Sequence, residues 1–364
     1  MPATGARLPK TGADAIMNPQ KQAAGLLNGR AHMKILGYVC DHNLPTVTER
    51  DAQMLDVINI AFGKVDKDFT LGTWELKHND CLQSIRAWKP DIRFVLSVGG
   101  WTAGGFSLMS RTEEGRRRFA ESCARYVKGT DLDGIDIDWE YPCNGSAGID
   151  YDPSDKENFT LLLAELRYAL GKDRIVSIAA GAGAYFVRDT QMDKVAEICD
   201  WVQLMTYDMR SGFCSEAGHH TAPYGSKGAP EGFDTESVTR MFENAGVPKE
   251  KIVIGAAFYA RKWEGVPDVN HGLFQKAATV GQYSEGYTGL KERFINKNGY
   301  VRYWDEDAQA PYLFNGSTLI SYDDPASLKA KCEFARREGL LGIMYWEHGS
   351  DPSRDLLTAL WENR

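Results

Sequence analysis

Four acids crowd one short run, Asp133-Gly-Ile-Asp136-Ile-Asp138-Trp-Glu140-Tyr-Pro. Successive side chains on an extended strand point to opposite faces, so Asp136, Asp138 and Glu140 share one face while Ile135, Ile137 and Trp139 share the other. Neighbours on the acid face lie about 6.6 to 6.8 Å apart along the strand, too close in a poorly hydrated interior for all three to be charged together. At least one then holds a proton near neutral pH, which a general acid must do. A solvated strand end would not interleave its acids with two isoleucines and a tryptophan that need burial. A magnesium site on a barrel would draw acids from the ends of several strands, and these come from one. Acids stacked on one strand cannot stand on both sides of a scissile glycosidic bond, so a nucleophile must come from elsewhere. A 2-acetamido group on the sugar supplies one. Its carbonyl oxygen can attack the anomeric carbon while an acid protonates the leaving oxygen.

Around this strand the chain alternates apolar runs with amphipathic stretches, the pattern of βα units and a parallel sheet. The runs are 34–40, 56–63, 92–100, 132–140, 174–181, 200–208, 251–260 and 340–346, with helical patterns at 112–128, 155–170, 235–245, 325–338 and 352–362. Eight such pairs predict an α/β fold, a closed (β/α)8 TIM barrel, rather than an open doubly wound sheet. About 80 residues separate the seventh run from the eighth, far beyond an ordinary βα connection. The aromatic-rich part, 263–320, reads as a small α+β insertion between strands 7 and 8, on the face where barrel enzymes hold their sites. The barrel then comprises 33–262 and 321–364. Residues 1–32 lack hydrophobic periodicity and an apolar signal-peptide core, and read as a leader or tag.

Composition excludes several classes. With 43% hydrophobic and 25% charged residues among 364, the chain can bury a large core. A formal net charge of −8 is the wrong sign for displacing counterions from phosphate, which argues against a nucleic-acid partner. No apolar run reaches the roughly 18 residues that a membrane span needs, so no membrane partner is expected. Seven scattered cysteines, odd in number and without C-x-x-C spacing, read as free thiols. His219-His220 has no third ligand at metal spacing and reads as loop. Gly99-Gly100 lacks the spacing of a phosphate-binding loop and reads as backbone passing close beneath a sugar. Trp88 and Trp201 read as core, Trp139 as packing between strand and helix, and Trp263 and Trp304 as either sugar contacts or insertion core.

Four motifs together carry a resemblance: the acid strand, Ser97-Val-Gly99-Gly100-Trp101, Gln203-x-Met205-x-Tyr207-Asp208, and Gly342-Ile-Met344-Tyr-Trp346. Over about 34–364 the chain resembles glycoside hydrolase family 18, the chitinases, in the branch with an inserted α+β subdomain. The resemblance implies hydrolysis of β-1,4-linked N-acetylglucosamine with retention, through an oxazolinium intermediate, without cofactor or metal. It implies Glu140 as general acid and later base, and Asp138 as partner of the acetamido N–H. Asp136 would share a proton with Asp138, and Asp133 would have a structural role. Tyr207 and Asp208 would orient the N-acetyl group, and Trp346 would floor the subsite of the cleaved sugar. Trp101 would stack on the leaving-group side and Arg261 would form a hydrogen-bonding wall. The implied substrate contacts extend to Met205, Gln203, Gly99, Gly100, Tyr38, Phe62 and Tyr141. Ala260 stands where this family often has Gly, and Cys143 where a small residue is expected. The partner would be chitin or chito-oligosaccharides, acted on by a monomer that a polymer substrate places outside the cell. An endo-β-N-acetylglucosaminidase, or a silent chitin-binding lectin, would share the scaffold.

Overall fold

The computed structural model describes residues 32–229 and 232–364. The expected leader therefore lies, save for His32, outside the described residues. Fourteen strands follow in order: β1 (Lys34–Cys40), β2 (Val57–Val65), β3 (Leu71–Gly72), β4 (Arg93–Gly99), β5 (Gly134–Asp138), β6 (Ile175–Gly181), β7 (Trp201–Met205), β8 (Ile252–Ala257), β9 (Tyr259–Glu264), β10 (Gln282–Gly286), β11 (Val301–Asp305), β12 (Ala310–Phe314), β13 (Thr318–Ser321) and β14 (Gly342–Trp346). Eight of them run in the order β1-β14-β8-β7-β6-β5-β4-β2, and β1 pairs with β2 to close the ring. Every pairing in that ring is parallel. The fold is a (β/α)8 TIM barrel.

Both faces of its strands are buried, which explains why they read as continuous apolar runs. Outward side chains such as Ile135, Ile137 and Leu96 join the helices in one large core. Inward ones, among them Leu36, Val57, Val95, Trp201 and Val253, plug the barrel below the acids. Trp139 behaves as expected and stacks on Phe106 with ring centroids 5.3 Å apart. Trp88 does not, because it ends its helix with 36% of its surface exposed. Local signals set the helix ends. Asp324 caps the helix Pro325–Glu338 through the N–H groups of Ala326 and Ser327, proline opens it, and Gly339 closes it in the left-handed region.

The run 251–260 is one apolar stretch in sequence but two strands in space. β8 stays in the barrel, while β9 turns out to start a separate antiparallel sheet of order β10-β9-β13-β12-β11. That sheet reaches from Tyr259 to Ser321, beyond 263–320 at both ends. Its core is Trp263, Tyr312, Phe314 and Leu319, so Trp263 is a packing residue. Among the described residues all seven cysteines are free, and no helix is long and apolar enough to cross a membrane.

Candidate active site

The acid face of β5 points into the barrel and rises toward its mouth. Asp136 is fully buried, and Asp138 and Glu140 are 5% and 9% exposed. Strand register places Ser97 of β4 and Ser177 of β6 on either side of Asp136. Both hydroxyls donate to it, Ser97 to Oδ2 at 2.8 Å and Ser177 to Oδ1 at 2.7 Å. Tyr38 from β1 donates to Oδ2 at 2.9 Å and Gln203 Nε2 from β7 to Oδ1 at 3.0 Å. Gln203 also donates to Tyr38 and accepts from Asn59, which completes a polar belt across the barrel. Burial pushes the Asp136 carboxyl up, but these four donors oppose it and suit a carboxylate. Among the described residues, none of its hydrogen bonds goes to Asp138. The expected shared proton is thus replaced by four fixed donors. Tyr38 and Gln203, expected at the substrate surface, lie beneath Asp136 and hold it.

Asp138 has a different setting. Its Oδ1 is buried without a partner. Burial first, then the negative charges of Glu140 and Asp136, raise its pKa well above the ordinary carboxylate range, with Lys64 opposing. Lys64 donates to the Gly99 carbonyl at 2.8 Å. Glu140 follows the strand's last residue, and burial lifts its pKa to about 7, with the Tyr141 hydroxyl lowering it and the charge of Asp208 raising it. Two carboxyls that hold protons far above their usual range thus sit above one that is fixed by donors.

Across the mouth, Asp208 follows β7 with φ at 54°. Burial would raise its pKa, but His220 and the Arg261 guanidinium hold it well below the usual range. Arg261 Nε donates to Oδ1 at 2.7 Å and its Nη2 to Oδ2. Arg261, expected as a wall for substrate, is therefore a clamp on Asp208. His220, read as loop, is buried against the same group: its Nδ1 accepts from the Asp208 N–H at 3.3 Å. Tyr207 lies between the two sides, its phenol raised by burial and then by the charges of Asp138 and Glu140. Its hydroxyl is 3.7 Å from Met344 Sδ. Met205 packs beside Tyr207, Tyr38 and Trp346.

Aromatic rings floor and rim the opening. Trp346 stacks on Phe62 with centroids 5.4 Å apart, and Tyr38 tilts against it at 5.8 Å. Trp101 stands above Tyr141. Gly99 and Gly100 approach protein and not an open surface. With φ at 128°, a Cβ on Gly99 would lie 1.9 Å from the Asp138 carbonyl, and one on Gly100 would lie 2.8 Å from the Phe62 ring. Asp133 stands apart, bound by Arg86 and Arg93 at the strand's start. Among the described residues no three His, Cys, Asp or Glu side chains group as metal ligands.

Residues 34–351 match the family described as glycosyl hydrolases family 18. The chain belongs to that family. Its fold superposes with a TM-score of 0.90 on a family 18 N-acetylglucosaminidase from Paenibacillus barengoltzii, with 47% identity over 92% of this chain and 100% of that one. It is 35% identical to Chitinase A1 of Niallia circulans over 81% of this chain and 46% of that protein. It is 27% identical to Chitinase B of Serratia marcescens over 86% and 77%. The chain thus spans less than half of the first of these curated relatives.

Sequence reading missed part of this family 18 site. Ser97 and Ser177 carried a usable signal, since aligning the predicted strands in parallel puts both level with Asp136. Lys64, Asn59 and His220 carried none, because each is a single polar residue whose partner lies far along the chain.

Proposed function

We propose that the chain is a glycoside hydrolase that cleaves β-1,4-linked N-acetylglucosamine with retention, using the substrate's own acetamido group as nucleophile. The observation that carries this is the state of the carboxyls. Glu140, with its pKa near 7, keeps a proton to give to the leaving oxygen. Asp208, which faces it, has both oxygens held by Arg261 and is not free to attack the sugar. The neutral-prone Asp138 has one unsatisfied oxygen at the base of the opening, available to the acetamido N–H. As that N–H becomes positively polarised in the oxazolinium, ionised Asp138 stabilises it, and Asp136 keeps a fixed negative charge beneath. Tyr207 reaches the same place and would donate to the acetamido oxygen. Trp346 gives the sugar a flat floor. The proton lost by Glu140 is recovered when it activates water in the second step.

Chitin and chito-oligosaccharides are the substrates this reading names, acted on by a single chain without cofactor and, for a polymer, outside the cell. A second reading, release of N-acetylglucosamine from short oligosaccharides, is favoured by the 47% identity to an N-acetylglucosaminidase over nearly the whole chain. A thiazoline analogue of the oxazolinium tests the mechanism common to both. It should inhibit competitively and strongly, with the β-anomer as first product. A failure to bind, or release of the α-anomer, would rule out acetamido participation.

A further inference from the structure

Trp101 follows β4 and Phe213 follows β7, and round the barrel β5 and β6 lie between those strands. The two rings nonetheless meet edge to face with centroids 6.3 Å apart. Their contact therefore crosses the mouths of two strands, one of which leads to Glu140. Tyr141 comes up beneath Trp101 at 6.3 Å, and Tyr185, from beyond β6, packs on Tyr141 at 5.1 Å. The outer rings are far from core residues, Trp101 being 47% and Phe213 74% exposed. Burial of apolar surface does not account for either position.

The loop that carries Phe213 is tied down from behind by the inserted sheet. Trp263 Nε1 donates to the Cys214 carbonyl at 2.9 Å. The Gly281 N–H reaches the Ser211 and Cys214 carbonyls at 3.1 Å, and the Ala277 N–H reaches Ser215 at 2.7 Å. Held on both sides of Phe213, the loop has its ring pinned over the opening.

We infer that Phe213 sets the length of leaving group the site accepts, closing that end of the cleft beyond one or two N-acetylglucosamine units. This rests on the proposed function, which fixes the direction. Glu140 protonates the leaving oxygen, so the departing sugar lies on the Glu140–Tyr141 side, away from Trp346. A pyranose sandwiched between two rings needs two van der Waals contacts of about 3.5 to 4.0 Å, hence centroids about 7 to 8 Å apart. At 6.3 Å and edge to face, Trp101 and Phe213 leave no such slot. A chain cannot thread between them, and Tyr141 fills the space below. The Glu140 side thus takes a short piece from the reducing end, while the Trp346 side sets no such limit.

The test uses a chitin hexamer labelled at its reducing end, with each rate normalised to that on an aryl chitobioside, whose leaving group does not reach Phe213. The wild-type protein should place the label in mono- and disaccharides. Phe213→Ala, a change at an exposed side chain, should move the label into trisaccharides and longer pieces and raise the normalised hexamer rate several-fold. Phe213→Tyr should keep the wild-type pattern. If Phe213→Ala lowers the hexamer rate with the label unmoved, the ring only stacks on sugar and the inference is wrong. An unchanged profile overturns it equally. If the wild-type protein cuts neither compound, the proposed function itself has failed, a result distinct from any change in label length.

Discussion

Replacing Glu140 by Gln should abolish turnover and, at the same time, stabilise the fold in a pH-dependent way. Burial raises the carboxyl from its ordinary 4.5 to about 7. A group whose pKa is raised on folding contributes its full stability below the unfolded value and loses it as pH climbs through the folded one. The native protein thus bears no penalty from Glu140 at pH 4 and a growing one up to about pH 7. At about 1.4 kcal/mol per unit, the cost near pH 7.5 is about 3 kcal/mol. Gln keeps the shape of the protonated acid and cannot ionise, so it removes that cost. In a domain of this size, where 1 kcal/mol moves the midpoint by about 2 °C, unfolding at pH 7.5 should shift up by about 5 °C. Scanning calorimetry at pH 4 and pH 7.5 reads the difference, and turnover should fall by about 10² to 10⁴-fold, the usual worth of a general acid. An equal shift at both pH values would mean that packing and not charge is responsible. That result, or substantial remaining turnover, would refute the reasoning.

Two other substitutions probe the surroundings. Tyr207→Phe removes a hydroxyl aimed at the acetamido position, and should cut kcat by about 10²-fold with no change in the unfolding midpoint; a loss confined to KM would place the hydroxyl elsewhere. Lys331→Met leaves Asp323 buried and unpaired, and breaking such a pair costs about 3 to 5 kcal/mol. Adding Asp323→Asn should restore much of that in urea titrations, whereas a single variant as stable as the parent would mean that the ion pair contributes nothing.

The barrel was legible because its evidence is periodic: eight apolar runs separated by amphipathic stretches admit few closed arrangements. The acid ladder was legible because alternation on one strand is local. What escaped depends on partners distant in sequence. Arg261 reads equally well as a wall or a clamp until Asp208, 53 residues away, is known to lie against it. Tyr38 and Gln203 point inward by alternation, but whether an inward side chain meets substrate or lies under a carboxylate depends on its height in the barrel. Only strand register decides that. The turn from β8 into β9 was invisible because an apolar run does not reveal where the chain changes sheet.

The insertion adds length to the chain, and its position suggests a groove wall, but its strongest connections to the chemistry lie at its root. β9 and β13 are its first and last strands and pair directly, with Arg261 opposite Ser321. Arg261 clamps Asp208, and the Ser321 hydroxyl accepts the N–H of His220, which packs on the same carboxylate. Just past β13, Asp323 accepts from Ala257 of β8, Thr221 and the buried Lys331. Thr221 in turn donates to the Thr206 carbonyl, one residue before Tyr207. Asp208 is the charge that raises Glu140, so fixing its place also helps fix the proton affinity of the acid. Cutting the insertion at its base would therefore do more than open a groove. It would release the clamp on Asp208 and loosen Tyr207, and the pKa of Glu140 would lose one of its fixed determinants.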